Sequence, residues 1–226
     1  MQSASLLHLL QLASPSLPVG AYSYSQGLET AMERGFVHNE HSARVWIVDM
    51  LEEIVARFEA PLTWRLTQAF ETCDADAVAH WTAMFVASRD SAEFRAETVQ
   101  MGYSLAKLLS ELVPENTALL NLLQQQSEVP FPTALAAATV ALKVPAESAL
   151  LGMLFSWAEN QVLACVKSVP LGQVAGQRLL LSLTESIEAA AVTARTLADH
   201  ELSNWSPGLS LLSMQHEVQY SRLYRS

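Results

Sequence analysis

The chain has 226 residues, half of them apolar, a net charge of −10, and thirteen basic residues scattered without a cluster. That length supports one large domain burying roughly 70–75% of its unfolded surface, and the scattered basic charge offers no footprint for nucleic acid. The longest uncharged stretch, Met1 to Leu28, is broken by Pro15, Pro18 and Gly20 and lacks a basic n-region. It therefore suits neither a membrane span nor a secretory signal, and a cytoplasmic protein is expected.

In chain order, Pro15 and Pro18 fix an extended entry, Gly20 permits close backbone approach, and Ser25 is placed to cap a helix carrying Glu29. Tyr22 and Tyr24 then stand side by side on a rigid loop, where they either plug a core edge or meet a partner. Over 41–58, Trp46, Met50, Ile54 and Phe58 recur every four residues, an amphipathic helix that Pro61 should interrupt before 62–70 resumes it. Asp74 is a plausible N-cap for a helix over 75–88. Further helices are expected over 91–112, 117–126, 133–143, 146–168 and 171–200, with Pro114, Pro130 and Pro132 as stops. A Trp-Ser-Pro-Gly break at 205–208 precedes a short apolar run, 209–214. Alternating strand patterns and internal repeats are absent. The expectation is an all-α, single-domain bundle of about nine or ten helices over 1–226. Residues 1–24 and 209–226 would be extensions that bind partners.

No phosphate-binding glycine loop, nucleophile elbow, zinc motif or Glu-x-x-His pair is present, so no catalytic residue, cofactor or metal is assigned. His38 and His41 could share a helix face, but Gly35 upstream suggests a loop or helix start with two solvated histidines. Cys73 and Cys165 read as small buried hydrophobes. Glu159 stands in an otherwise apolar helix, where a carboxylate must be paired, exposed at an interface or protonated. Lys167 lies two turns later on nearly the same face. Glu159, Asn160 and Lys167 could thus frame a polar pocket in a helical enzyme or small-ligand binder, or each could find its own partner.

The last eleven residues run His216-Glu-Val-Gln-Tyr-Ser-Arg-Leu-Tyr-Arg-Ser226. Tyr220, Arg222, Tyr224 and Arg225 are residue types that anchor interfaces. The words His-Glu-x-Gln-Tyr-Ser-Arg-Leu and a final Arg-Ser resemble the C-terminal signature of the urease accessory protein UreF family. Leu12-Ala-Ser-Pro-Ser-Leu-Pro-Val-Gly-Ala-Tyr-Ser-Tyr-Ser-Gln-Gly-Leu-Glu29 resembles the family's N-terminal segment, and Val166-Lys-Ser-Val-Pro-Leu-Gly-Gln173 an internal one. The three occur in the family's order. One departure is Tyr224, where the family commonly has Phe.

The resemblance implies a non-enzymatic role in urease activation. In that family the protein works with UreD (also called UreH) and the GTPase UreG on apo-urease, controlling GTP-dependent delivery of nickel and carbon dioxide. It also implies self-association, and an isologous homodimer would absorb part of the apolar excess. Tyr22, Tyr24, Glu29, Glu159, Lys167, Gln173, His216, Tyr220, Arg222, Tyr224 and Arg225 are the candidate partner-binding residues. Lys167 and Gln173 are directed to UreG. The tail, 216–226, is directed to UreD and expected to be poorly ordered until bound, because so short a helix is costly to nucleate.

Overall fold

Three helix starts follow polar side-chain caps. In the computed structural model, which describes residues 2–169 and 171–226, no strand occurs among the described residues. Helices α1 (Ser3–Leu12) and α2 (Leu28–Glu33) flank the proline-rich segment, and Ala21–Ser23 within it forms a 3-10 turn. Gly20 serves that turn through its left-handed φ of +79°. The expected close approach does not occur there, since a Cβ would meet nothing within 4 Å.

Helix α3 (Glu40–Met50) opens on a capping box in which the Asn39 side chain takes the Ser42 amide. It runs on through π-helical Leu51–Glu59 into α4 (Ala60–Glu71). Pro61 does not interrupt this rod, contrary to expectation. It sits where the π-helical stretch passes into α4, inside the rod, so its missing amide is a gap in the ladder. The Arg57 carbonyl four residues back, which Pro61 cannot serve, accepts the Ser203 amide at 3.2 Å instead.

The remaining helices are α5 (Ala75–Ala87), α6 (Ala92–Leu112), α7 (Thr117–Gln124), α8 (Phe131–Ala141), α9 (Ala146–Ser168), α10 (Gln173–Leu181), α11 (Thr184–Thr196) and α12 (Pro207–His216). Asp74 and Ser91 cap α5 and α6 by accepting the Ala77 and Phe94 amides. With α3, the π-helical stretch and α4 taken as one rod, the described residues hold eleven α-helical elements, close to the nine or ten expected. Where one helix was expected over 171–200 there are two, followed by a 3-10 turn at Asp199–Glu201. The break at Ser182–Leu183 buries Leu183 completely and brings both α10 and α11 against α9. Pro170, between the helices expected over 146–168 and 171–200, lies outside the described residues.

Two cores share α9 as a wall. Leu51, Leu154, Val162, Leu179 and Leu183 belong to one; Leu66, Phe70, Leu105, Leu109 and alanines of α8 form the other. Helix α6 crosses α8 so closely at Gly102 that a Cβ would lie 2.0 Å from the Val129 carbonyl oxygen. Helix α9 is long and apolar enough to span a bilayer by length and composition alone. In the fold it is a central helix whose Leu154, Ala158, Val162 and Cys165 are buried. Burial pushes the Cys165 thiol up to about 12. Cys73 departs from expectation: it is exposed and takes a left-handed φ of +53° at the end of α4.

Candidate functional site

Two segments two hundred residues apart in sequence meet in one buried polar network. The loop preceding α2 is held from below by α9. Asn160 Nδ2 donates to the Tyr24 carbonyl (3.0 Å), Gln161 Nε2 to the Ser25 carbonyl (3.3 Å), and Trp157 Nε1 to Gln26 Oε1 (2.7 Å). Ser25 Oγ accepts the Glu29 amide at 3.2 Å, but the N-cap position of α2 is held by Gly27 in a left-handed conformation and not by Ser25 as expected.

The C-terminal segment is laid over this loop. The Ser25 amide and hydroxyl donate to the Ser226 main-chain oxygen at 2.7 and 2.6 Å, and the Arg225 amide donates to the Ser23 carbonyl at 2.8 Å. Glu29 Oε1 accepts the Leu223 amide (2.7 Å), and Oε2 accepts both the Tyr224 amide (3.0 Å) and His216 Nε2 (3.0 Å). The other imidazole nitrogen, His216 Nδ1, lies 2.8 Å from Glu93 Oε2, and Arg222 Nη1 reaches Glu93 Oε1 at 3.0 Å. One helical turn along α6, Glu97 accepts from Gln26 Nε2 (2.6 Å) and the Ser226 hydroxyl (2.7 Å).

His216 is completely buried between two carboxylates. Only an imidazolium donates from both nitrogens; with a neutral ring, one carboxyl must carry the proton. Glu97 differs from Glu29 and Glu93 because its hydrogen-bond partners are neutral. Desolvation therefore dominates and raises its carboxyl to about 7, against the lowering effect of its Ser226 and Gln26 hydrogen bonds. Burial likewise raises the Tyr24 and Tyr224 hydroxyls, with Arg225 opposing the shift at Tyr24.

The tail is thus docked on its own chain rather than free, because Glu29 and Ser25 satisfy main-chain groups that an isolated segment would leave to water. The expected site residues divide accordingly. Tyr24, Glu29, His216 and Tyr224 are buried, so their contacts are internal. Arg222 and Arg225 are exposed, Arg222 while paired to Glu93. Tyr22 and Tyr220 stand in solvent, the latter fully, beside exposed Val218 and Leu223. Lys167 is exposed and its Nζ lies 5.8 Å above the Tyr224 ring, a cation–π contact with the tail. Gln173 is exposed at the start of α10.

The polar pocket framed by Glu159 and Lys167 is not assembled. No ion pair joins them, Asn160 is committed to Tyr24, and Lys167 faces the tail. Glu159 and Asn160 instead line a mostly apolar cavity of about 170 Å³ with Leu12, Ile54, Met101 and Trp157. Burial raises the Glu159 carboxyl. At that cavity's wall, Glu59 and Arg89 form a part-buried pair at 2.7 Å, and the guanidinium lies 4.3 Å from the Phe85 ring centre. His38 and His41 are both exposed at the start of α3, as a solvated pair would be. Among the described residues, no group of three histidine, cysteine or acidic side chains is spaced to hold a metal.

Sequence reasoning missed Gln26, Glu93, Glu97 and Trp157. Glu93 and Glu97, four apart on a helix, look like an ordinary solvated acidic face. Nothing local reveals that a distant segment covers them.

A family model described as UreF matches residues 37–184. The chain is similar to the urease accessory protein UreF of Janthinobacterium sp. (strain Marseille), 73% identical over 226 residues and covering all of both chains. It is 63% identical over 222 residues to the protein of the same name from Nitrosospira multiformis, covering 98% of each. Identity to that of Azoarcus sp. (strain BH72) is 52% over 226 residues, covering 98% of this chain and 95% of the relative.

Proposed function

The chain belongs to the UreF family of urease accessory proteins, and from that premise we propose that it is a non-enzymatic adaptor binding UreD (UreH) and the GTPase UreG. In the cytoplasm it promotes GTP-dependent insertion of nickel into apo-urease. It acts by differential binding: a partner's conformational equilibrium shifts only as far as its affinities for the two states differ. Nucleotide chemistry is left to UreG.

The observation that carries this reading is the two-sided tail. Its inner side is fixed to α2, α6 and α9, while Val218, Tyr220 and Leu223 project outward at 84%, 106% and 73% exposure. Apolar side chains held outward on an anchored segment make a preorganised contact, which lowers the ordering cost of binding. The UreD face includes these residues and Tyr22. Helix α1 offers a separate exposed apolar face through Leu7 and Leu10. Lys167, beside Tyr224, and Gln173, at the start of α10, serve UreG. A homodimer is proposed as the working unit, with the apolar side chains left exposed on α10 and α11 (Val174, Leu181 and Val192) as its contact.

The test is co-purification of the full chain with UreD and UreG, sized by light scattering. A defined complex containing this chain supports the adaptor; a chain that elutes alone at high micromolar concentration refutes it.

A further inference from the structure

Three carboxylates converge under the C-terminal segment, and the cations are unequally shared. Glu29 and Glu93 flank His216, and Glu93 also meets Arg222. Glu97 receives only neutral donors, the Ser226 hydroxyl and the Gln26 amide, and is 5% exposed. Arg89 and Glu59 act on it from the cavity side, but they are paired with each other. A carboxylate buried without a cation is costly, and adding a proton is the inexpensive remedy.

The Ser226 hydroxyl that donates to Glu97 belongs to the same residue whose main-chain oxygen takes the Ser25 amide. The docked segment therefore covers one side of Glu97, whose other side lines the internal cavity. Ionising Glu97 in place leaves a third buried negative charge beside Glu29 and Glu93. Undocking returns it to solvent.

We propose that the C-terminal segment is a proton-dependent strap: a proton held at Glu97 locks residues 217–226 onto α2 and α6, and losing it releases them. The device is a property of the chain alone, so its failure and failure of the adaptor reading are separable.

With the docked Glu97 titrating near 7 and an exposed glutamate near 4.5, linkage gives about a tenfold loss in the docking equilibrium between pH 6 and 8.5. Hydrogen exchange of the amides of Leu223, Tyr224 and Arg225 in the full chain, corrected for intrinsic rates, reads this directly. The expected result is a roughly tenfold fall in protection for the wild type. Glu97→Gln, which still accepts from Gln26 and can donate to the Ser226 hydroxyl once that turns to accept, cannot ionise and should remain protected at pH 8.5. Wild-type protection that is flat over this range overturns the proposal without reference to any variant. So does a folded Glu97→Gln protein that loses protection with the wild-type profile.

Discussion

Replacing Glu29 by Ala leaves the Leu223 and Tyr224 amides and one nitrogen of His216 without their carboxylate partner. Removing one partner of a buried charged network costs about 3–5 kcal/mol. In a chain of this size that lowers Tm by roughly 6–20 °C, which calorimetry at neutral pH would register. Glu97 makes the opposite contribution with pH. Its folded-state carboxyl is raised above the unfolded value, so the folded chain holds a proton that the unfolded chain has released. The associated stability is full below about 4.5 and is lost as pH rises through about 7. Glu97→Gln should therefore gain stability relative to the wild type above pH 7 and lose that advantage by pH 5, in paired urea titrations. A wild-type advantage at pH 8 would show that Glu97 is used as an anion.

Among the elements, the α6–α8 crossing tolerates the least change. Gly102→Ala places a methyl against the Val129 carbonyl, which is backbone and cannot rotate away. Separation of the two helices should cost at least 1–3 kcal/mol, seen as a lower urea midpoint. Helices whose signals lie within their own sequence were legible: α9 begins and ends where its apolar run does, and the Asp74 cap fixes α5. The π-helical stretch was not, because the group that relieves Pro61 is Ser203, far along the chain. Nor was the break between α10 and α11, which contains no glycine or proline and arises from packing on α9. The docked tail was illegible for the same reason. Glu29 and His216 are 187 residues apart, and period and composition report only on neighbours. Sequence identified the two terminal segments as special but not that each is the other's partner.

At the scale of the whole molecule, the terminal segments act as one unit closing α2, α6, α9 and α12 together. Deleting 217–226 uncovers His216, Glu29 and Glu97 and removes the buried Tyr224 ring, whose burial alone contributes about 2 kcal/mol. The truncated chain should melt several degrees below the full one, in contrast to a tail that is free in isolation. Loss of partner binding on truncation would then mix two causes, which is why the outer face must be tested without disturbing the inner. The variant Val218→Ser, Tyr220→Ser, Leu223→Ser alters only exposed side chains and leaves the amides bound to Glu29 intact. The decisive measurement is the stoichiometry of this triple variant with UreD by light scattering, alongside its melt. The adaptor account predicts a wild-type melt and loss of the complex. A triple variant that still binds UreD at wild-type stoichiometry would contradict it.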